Sequence, residues 1–332
     1  MSIVNRIGLR VAAAAVATGA IAAGGLAVAG SAGASTATVS SRPSVGYRFQ
    51  TLDNARDVTF NQLLGINGHG LIAGYFGSGA AGHPNKGYLL FPGYKQRNYR
   101  NENFPGSVQT QVTGLNDQGA TVGFWSNANN ANLSNPNFGF YSLDGRHFHT
   151  ADFPTANNAS PPVDQLLGIN DSDVAVGFYT DGQGNNHGYT YNIREHRFAA
   201  VTVPGASQLS LTATAINNHG DVAGFYTNAA GATLGFLRYH GQFRTLSVPG
   251  AAMTQALGVN DRDEVVGVYT VGSGSTAVMH GFTWTPGHGF QTVDDPHGVG
   301  TTTLNGVNDR GQVVGFYTDS AGNTDGLLAS PR

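Results

Sequence analysis

The sequence predicts an all-β repeat protein, a six-bladed β-propeller built from four-stranded blades. Six copies of an Asn-centred turn lie between runs of Val and aromatic residues, which is typical of strands joined by tight turns. In every copy a glycine follows the marker asparagine by seven positions. The markers are Asn67, Asn116, Asn170, Asn217, Asn260 and Asn308, and the glycines are Gly74, Gly123, Gly177, Gly224, Gly267 and Gly315. Successive markers are 43 to 54 residues apart, a period close to that of four-stranded blades.

The N-terminal 34 residues are predicted to be a secretory signal peptide. Arg6 and Arg10 precede a long uncharged run of Ala, Val and Gly, and Ala-Gly-Ala at 32–34 provides a cleavage site. Ala-Val-Ala at 27–29 is a second candidate site. An uncleaved membrane anchor is the alternative, because the run is long enough to span a bilayer, but Ala and Gly are only weakly apolar. We therefore expect an extracellular protein with no membrane attachment after cleavage.

The rest of the chain divides into a linker and the propeller. Residues 35–44 are small and polar, which predicts a flexible linker. From residue 45 to residue 332 each repeat offers four short runs with strand character and no helical periodicity. In the third repeat these runs are 165–170, 174–180, 187–192 and 198–203. Strands of this length with turn residues between them favour an all-β repeat fold.

The two ends of the chain predict that the propeller is closed. In the fourth run an aromatic residue precedes a proline by six positions, and this pair occurs five times: Tyr99 and Pro105, Phe148 and Pro154, Phe198 and Pro204, Phe243 and Pro249, Phe290 and Pro296. The last repeat stops at Arg332 after its third run. Residues 47–53 resemble 289–294, with Phe49 at the aromatic position. The N-terminal strand should therefore complete the last blade and pair both open edges.

Composition limits the classes of partner. The formal net charge is −3 and only 11% of residues are charged, so neither nucleic acid nor an anionic membrane surface is an expected partner. The chain has no cysteine, which excludes disulfides, thiolate metal sites and cysteine nucleophiles. Core packing must then stabilise the fold unaided, and we expect a monomer.

Three short motifs resemble a known family. Residues 308–315 read Asn-Asp-Arg-Gly-Gln-Val-Val-Gly, residues 280–282 read His-Gly-Phe, and residues 203–206 read Val-Pro-Gly-Ala. Together they resemble the bacterial extracellular HAF-type repeat family, over about residues 46–332. The resemblance implies secretion and repetition but no defined activity. The chain departs from the pattern where Asp173 and Asp263 replace the turn glycine, and in the first repeat, which reads Asn-Gly-His-Gly at 67–70.

Metal sites are not favoured by the turn sequences. Asp117, Asp171, Asp261 and Asp309 suggest calcium, but a calcium loop needs several oxygen ligands from one segment, and each turn supplies one or two. Bonding to their own backbone is the preferred interpretation. The histidines do not follow a zinc-binding pattern, and we expect no metal and no cofactor.

Catalysis has no recognisable motif either. The carboxylates outside the turns that could be considered are Glu102, Glu195, Glu264, Asp152, Asp164 and Asp295. There is no nucleophile elbow and no phosphate-binding loop, so these groups are interpreted as solvated loop charges and no catalytic residue is assigned.

One set of polar residues predicts a ligand site. Five positions before each marker asparagine lie Gln62, Gln111, Gln165, Thr212, Gln255 and Thr303. If the following segment is the innermost strand, six amides and hydroxyls converge at the mouth of the channel, and a concave site with converging polar groups is a ligand-site hypothesis. The alternative is that each side chain bonds its own neighbouring loop. Long insertions at 126–137 and 155–163 favour a binding role for this end of the propeller.

The function predicted from these observations is a secreted, non-catalytic binding or interaction module for cell-surface glycans or peptides. One alternative is a propeller-fold lyase or hydrolase that acts on an extracellular polysaccharide or small substrate, which rests on fold analogy. The other is a passive envelope or matrix component.

Overall fold

The computed structural model describes residues 46–80, 82–129, 135–155, 159–203 and 208–332. The predicted signal peptide and linker lie outside the described residues. The described part of the chain contains 24 strands and two short 3-10 turns, Gln96–Asn98 and Gly274–Thr276, with no α-helix. The all-β prediction is thus confirmed. Within these ranges no helix has the length and apolar character needed to cross a membrane.

The strands fall into sets of four antiparallel strands, which we call units one to six. The first three units are β2 (Asn61–Ile66), β3 (Ile72–Phe76), β4 (Lys86–Leu90) and β5 (Tyr99–Asn101); β6 (Gln109–Leu115), β7 (Thr121–Ser126), β8 (Phe138–Ser142) and β9 (Phe148–Thr150); β10 (Asp164–Ile169), β11 (Val174–Thr180), β12 (Asn186–Asn192) and β13 (Arg197–Ala200). The next two are β14 (Gln208–Ile216), β15 (Val222–Asn228), β16 (Thr233–Tyr239) and β17 (Gln242–Leu246); β18 (Met253–Val259), β19 (Val265–Val271), β20 (Val278–Thr285) and β21 (Gly289–Thr292). A single parallel pair, Thr233 with Met253, joins these two into one eight-stranded sheet.

Unit six contains both ends of the described chain. It consists of β22 (Thr302–Val307), β23 (Val313–Thr318), β24 (Thr324–Pro331) and the N-terminal strand β1 (Tyr47–Thr51). Strand β1 lies antiparallel to β24, with Phe49 opposite Ala329. The backbone N–H of Arg332 donates to the Gly46 carbonyl at 2.8 Å. The two terminal strands are therefore neighbours in one sheet.

The predicted strands of the third repeat agree with unit three except at the end. The first three runs match β10, β11 and β12 to within one residue at either end. The fourth strand ends at Ala200 rather than at residue 203. One further bond, from Val201 N–H to the Gly188 carbonyl, continues the contact beyond the strand.

The repeated glycine sits where the second strand crosses a bulge in the first. In unit three the pairing of β10 with β11 shifts between Leu166 and Gly168. A Cβ added to Gly177 would lie 2.0 Å from the Gln165 carbonyl oxygen, and one added to Gly315 would lie 1.9 Å from the Thr303 carbonyl oxygen. No side chain fits such a contact, so this backbone approach explains why glycine follows the marker asparagine at a fixed distance.

The hydrophobic core lies between adjacent units. One cluster combines Val122 and Tyr141 of unit two with Leu166 and Tyr189 of unit three. Another combines Leu63 and Ile72 of unit one with Val314 and Leu328 of unit six. Each sheet therefore buries its apolar side chains against the next unit, as expected when one repeat cannot form a core alone. The end of the chain packs on its beginning in the same way.

Candidate functional site

The six polar residues predicted to bind ligand lie near the start of the first strand of each unit, and most are buried. Five have exposed fractions of 8% or less: Gln62, Gln111, Gln165, Thr212 and Thr303. The sixth, Gln255, is partly exposed. A ligand at this end of the sheets would therefore meet few of these side chains without rearrangement.

Three of these residues bond to an asparagine at the start of the third strand of the preceding unit. The pairs are Gln111 with Asn85 (2.9 Å), Gln165 with Asn137 (3.1 Å) and Thr212 with Asn186 (3.2 Å). Gln62 instead accepts a bond from the Tyr75 hydroxyl of its own unit at 2.8 Å. These contacts fit a role in holding neighbouring segments, but the loop involved belongs to the preceding unit rather than to the residue's own.

Other atoms of the same set have no hydrogen-bond partner among the described residues. They are the side-chain carbonyl oxygens of Gln111 and Gln165 and the hydroxyl of Thr303. These buried acceptors retain hydrogen-bonding capacity. The assignment of the six residues to ligand binding stays a prediction.

The opposite ends of the first strands carry a different arrangement, built by the marker asparagines. Each side-chain Oδ1 accepts two N–H groups of its own turn, as Asn170 does from Ser172 (3.1 Å) and Val174 (3.1 Å). Each Nδ2 donates to the backbone carbonyl of the next marker, at 2.9–3.1 Å. The links run from Asn67 to Asn116, Asn116 to Asn170, Asn170 to Asn217, Asn217 to Asn260, Asn260 to Asn308, and Asn308 to Asn67. One amide therefore shapes its own turn and ties it to the next.

A second series of bonds uses the residue after each marker. The carboxylate of Asp171 accepts the backbone N–H of Asp117 at 2.8 Å, and that of Asp309 accepts the N–H of Asp261 at 2.9 Å. The same contact joins Gly68 to Asp117, Asp171 to Asn218 and Asn218 to Asp261. The expectation that these aspartates bond their own backbone is thus wrong for the series: their first oxygen reaches the neighbouring unit.

The series is interrupted at unit one, where the equivalent residue is Gly68. With no side chain there, the N–H of Asp309 lacks the partner that the other units provide. The Arg310 side chain donates to the Gly68 carbonyl instead. A Cβ at Gly68 would lie 2.7 Å from a carboxylate oxygen of Asp117, so a side chain at this position would disturb the carboxylate.

These turns surround a pocket with a cavity volume of about 80 Å³ to which all six units contribute. Its apolar lining consists of the residues just before the markers: Ile66, Leu115, Ile169, Ile216, Val259 and Val307. Its polar lining includes the carboxylates Asp117, Asp171, Asp261 and Asp309 together with Asn218. The Asn218 amide donates to second oxygens of Asp171 (3.0 Å) and Asp261 (2.9 Å). Four negative charges therefore lie around a small aliphatic depression.

Two basic side chains lie near these charges: Arg310, which donates to the carbonyl of the lining residue Gly68, and His69. His69 lies 3.8 Å from Asp117, and within the described ranges Asp171, Asp261 and Asp309 form no ion pair within 4.0 Å. The second oxygens of Asp171 and Asp261 already accept the Asn218 amide. Those of Asp117 and Asp309 can accept hydrogen bonds from a donor in the pocket, and a cationic donor gives the stronger bonds. The arrangement therefore suits a small positively charged group better than an anion.

Backbones approach closely beneath the pocket. Position two before the marker is Gly65, Gly114, Gly168, Ala215, Gly258 or Gly306. A Cβ added to Gly114 would lie 2.9 Å from the Cα of Gly168, and one on Gly306 would lie 3.2 Å from the Cα of Gly65. The first strands of adjacent units therefore meet with almost no side chain between them, which limits the depth of the pocket.

The expectation that the carboxylates outside the turns are solvated loop charges is wrong for Glu102, Asp164 and Asp295, which are buried. Asp164 is buried and accepts bonds from the Tyr189 hydroxyl and the Phe153 N–H; burial raises its pKa to about 8. Asp152 accepts the Gly139 N–H, and burial raises its pKa to about 6. Glu102 bonds to the Thr121 hydroxyl, and burial raises its pKa to about 7. Perturbed pKa values alone do not make a catalytic site, and none of these three lines the central pocket.

Local contacts account for two histidines at equivalent positions of units three and five, and for the aspartate in the loop after β23. His187 lies 2.8 Å from Asp181 and stacks on Tyr179, and His280 lies 2.7 Å from Asp294 and stacks on Tyr269. Each of these two histidines thus has its own carboxylate. The loop after β23 is organised by Asp319, whose side chain accepts the N–H groups of Ala321 and Asn323 at 2.8 Å.

The central pocket was missed from the sequence, although its signal was present. The aspartates were assigned to single turns, and their recurrence at one position in four of the six repeats was not interpreted as a contact between turns. The aliphatic residue before every marker was a second signal. Equivalent positions of different repeats lie close together only when the repeats are arranged about a common centre. The spacing of the repeats in the sequence does not give that arrangement.

No protein-family model matches the chain, and neither does any curated protein. Solved structures that resemble it include AofleA from Arthrobotrys oligospora, with 14% sequence identity, a TM-score of 0.49, and coverage of 85% of this chain and 86% of that chain. Another is a streptogramin B lyase structure, with 10% identity, a TM-score of 0.45, and coverage of 87% of this chain and all of that chain. At this distance the similarities identify neither a ligand nor a reaction.

Proposed function

We propose that residues 45–332 form a closed six-bladed propeller in which the N-terminal strand completes the last blade. Three observations support closure. Strand β1 pairs with β24, apolar residues of units one and six share one cluster, and the marker series returns from Asn308 to Asn67 at 2.9 Å. In a closed ring every unit packs against a neighbour on both sides. Completion of the last unit by a strand from the other end of the chain holds such a ring together.

The protein is, in this proposal, a secreted, non-catalytic binding module that uses the central pocket for its ligand. The observation that carries the proposal is the convergence of four aspartates around six aliphatic side chains in a pocket shared by all units. Small concave sites with an apolar base and a few polar groups are suited to binding a ligand group. Secretion rests on residues 1–34 and on the resemblance to the extracellular HAF-type repeat family.

The chemistry of the pocket specifies the ligand group. A protonated primary amine donates three hydrogen bonds and is attracted by the carboxylates, and its adjoining carbon atoms can contact the aliphatic residues. Such an amine occurs on a lysine-containing peptide and on a de-N-acetylated amino sugar, which are members of the two ligand classes expected from the sequence. The volume of about 80 Å³ admits only the end group, so the rest of the ligand would lie outside the pocket.

The test measures binding of glucosamine oligomers and lysine peptides by isothermal titration calorimetry, with the N-acetylated oligomers and acetyl-lysine peptides as neutral counterparts. Only the amine forms should bind. Asp309→Asn should reduce the affinity about tenfold or more, since a charge-assisted hydrogen bond contributes about 1.5–3 kcal/mol. The fold should tolerate this change because the oxygen that accepts the Asp261 N–H is kept and unit four already has Asn218 in the same role.

The matched control is Asp319→Asn, which lies in a loop between second and third strands, at the opposite end of the sheets, and retains the oxygen that accepts two N–H groups. Its affinity should equal that of the wild type. Equal binding of amine and acetylated forms would contradict the proposal. Turnover of a bound glycan would favour the lyase or hydrolase alternative, and failure of every ligand to bind would favour a passive envelope component.

A further inference from the structure

A second polar cluster lies apart from the central pocket, where the turns of units four and five meet. It consists of His219 and Asp221 from unit four and Asp263 from unit five. One ligand atom of each residue, an imidazole nitrogen or a carboxylate oxygen, lies within 4.8 Å of those of the other two. None of the three residues is among those that line the central pocket. From this geometry we propose that His219, Asp221 and Asp263 bind one Zn²⁺ ion.

Asp221 is a buried carboxylate in the turn of unit four. The fourth residue after the marker is apolar in the first three units (Leu71, Ala120 and Val174) and polar in the last three (Asp221, Glu264 and Gln312). The Asp221 side chain is only 4% exposed, and no ion pair within 4.0 Å compensates its charge among the described residues. Its Oδ1 accepts the His240 N–H at 2.8 Å, whereas its Oδ2 has only a long contact, 3.4 Å, with the Asn217 amide. A buried carboxylate is costly unless it is paired or coordinates a metal, and Oδ2 has the capacity to do so.

Asp263 also departs from the repeat, and its side chain forms no hydrogen bond and no ion pair with any residue that the structure describes. It adopts φ 59° at the turn position where four other units use glycine. Its Oδ1 is buried and has no hydrogen-bond partner within the described ranges. Unit three shows what such an aspartate needs, because Asp173 has the same backbone conformation but pairs with Arg194 at 2.6 Å. The corresponding loop of unit five, residues 286–288, reads Pro-Gly-His and has no arginine, so a bound cation would supply the missing charge.

The electrostatics of the cluster agree with a missing cation. Burial is the main cause that raises the pKa of Asp263, the nearby Asp221 carboxylate raises it further, and His219 and His240 lower it. Arg238 is the nearby guanidinium on the Asp221 side, yet it forms no ion pair with Asp221 within 4.0 Å. Two carboxylates therefore lie close together, and among the described residues neither forms an ion pair within 4.0 Å.

The donor set favours Zn²⁺ over Ca²⁺. Calcium takes six to eight oxygen ligands, whereas one imidazole and two carboxylates suit a four-coordinate zinc with a water at the fourth position. Ligand atoms of such an ion lie about 3.3 Å apart, given bonds of about 2.0–2.1 Å. The exposed His219 side chain can rotate to close the remaining distance, and the His240 N–H holds Asp221 in place as an outer-shell partner.

The test is isothermal titration calorimetry of ZnCl2 into the chelator-treated protein, supported by thermal melts. The wild type should bind one equivalent and show a higher melting temperature with zinc. Asp263→Gly introduces the residue that other units use at this turn, so folding should be retained, and the affinity should fall about tenfold or more. His219→Ala, an exposed position, should have the same effect.

The matched control is His69→Ala, because His69 occupies the equivalent position in unit one and lies near Asp117. It should leave zinc binding unchanged. Absence of binding to the wild type would overturn the proposal. So would zinc binding of unaltered affinity in Asp263→Gly and His219→Ala, since the ion would then be held by other surface histidines. Amine binding at the central pocket is measured separately, so failure of one proposal does not affect the other.

Discussion

Closure of the ring can be tested by replacing a single atom, the Nδ2 of Asn308 that links the last unit to the first. Asn308→Asp keeps the oxygen that accepts the N–H groups of Arg310 and Gln312, so the turn itself should persist. It replaces the Nδ2 that donates to the Asn67 carbonyl at 2.9 Å with an oxygen. The bonds lost are the link between the last and first units and a local bond from the same Nδ2 to the Gln312 side-chain oxygen at 3.1 Å.

The expected cost follows from the burial of this contact. Asn67 and Asn308 are 6% and 4% exposed, and loss of a buried hydrogen bond that leaves a polar atom unpaired costs about 1–3 kcal/mol. The comparison variant is Asn116→Asp, which breaks the link from unit two to unit three at 3.0 Å. If the units form a ring, the two links are equivalent and both variants should lose a similar free energy of unfolding.

The assay is urea unfolding followed by the fluorescence of Trp125 and Trp284, with the midpoint and slope fitted for each variant. An open arrangement gives a different result, because the Asn308 amide would then be hydrated and its replacement would cost little. A full loss in Asn116→Asp together with a wild-type midpoint in Asn308→Asp would refute the closed ring.

Three further variants test individual contacts. Phe49→Ala should lower the free energy of unfolding by about 2 kcal/mol. Truncation of a fully buried phenylalanine costs about 3–5 kcal/mol, but Phe49 is only partly buried against its cluster. A wild-type urea midpoint would contradict this packing. Because burial raises the pKa of Asp164 to about 8, the folded state holds the proton more tightly than the unfolded state, and stability should fall as pH rises from about 4 to about 8, by up to about 1.4 kcal/mol per pH unit. Asp164→Asn should flatten that slope in urea titrations, and an unchanged slope would show that the group is not responsible. Gln111→Ala should lower the melting temperature through loss of its bond to Asn85, whereas Gln255→Ala, with no side-chain hydrogen bond among the described residues, should not; the opposite order would remove the structural interpretation of these amides.

The sequence was sufficient to predict the strands and the contact between chain ends, because both depend on local patterns. The resemblance of residues 47–53 to 289–294 identified the strand that pairs with β24. The fixed spacing of Gly177 from Asn170 reflected a backbone contact with the Gln165 carbonyl, although its cause became visible only in three dimensions. The spacing recurs in every repeat because the same close backbone contact requires a glycine in each copy.

The candidate sites were less predictable because they depend on distances between units. The amides of Gln111 and Gln165 were expected at a mouth and are buried beside Asn85 and Asn137. Asp221 was not singled out from the sequence, and its proximity to Asp263 of the next unit is visible only in the fold. Neither contact has a signature in the local sequence, since the partners are some 25 to 45 residues apart.

The pairing of β1 with β24 has a consequence for the order in which the molecule folds. The two strands are separated by about 270 residues of chain, so the first strand to be synthesised finds its partner only when the last has been made. Formation of the last sheet therefore requires the largest loop closure available to this chain, and such long-range contacts slow folding. Until then β24 presents an unpaired edge, and a second molecule could supply the missing strand in place of the chain's own. The interval between the synthesis of β24 and its pairing with β1 is when this protein is most exposed to strand exchange.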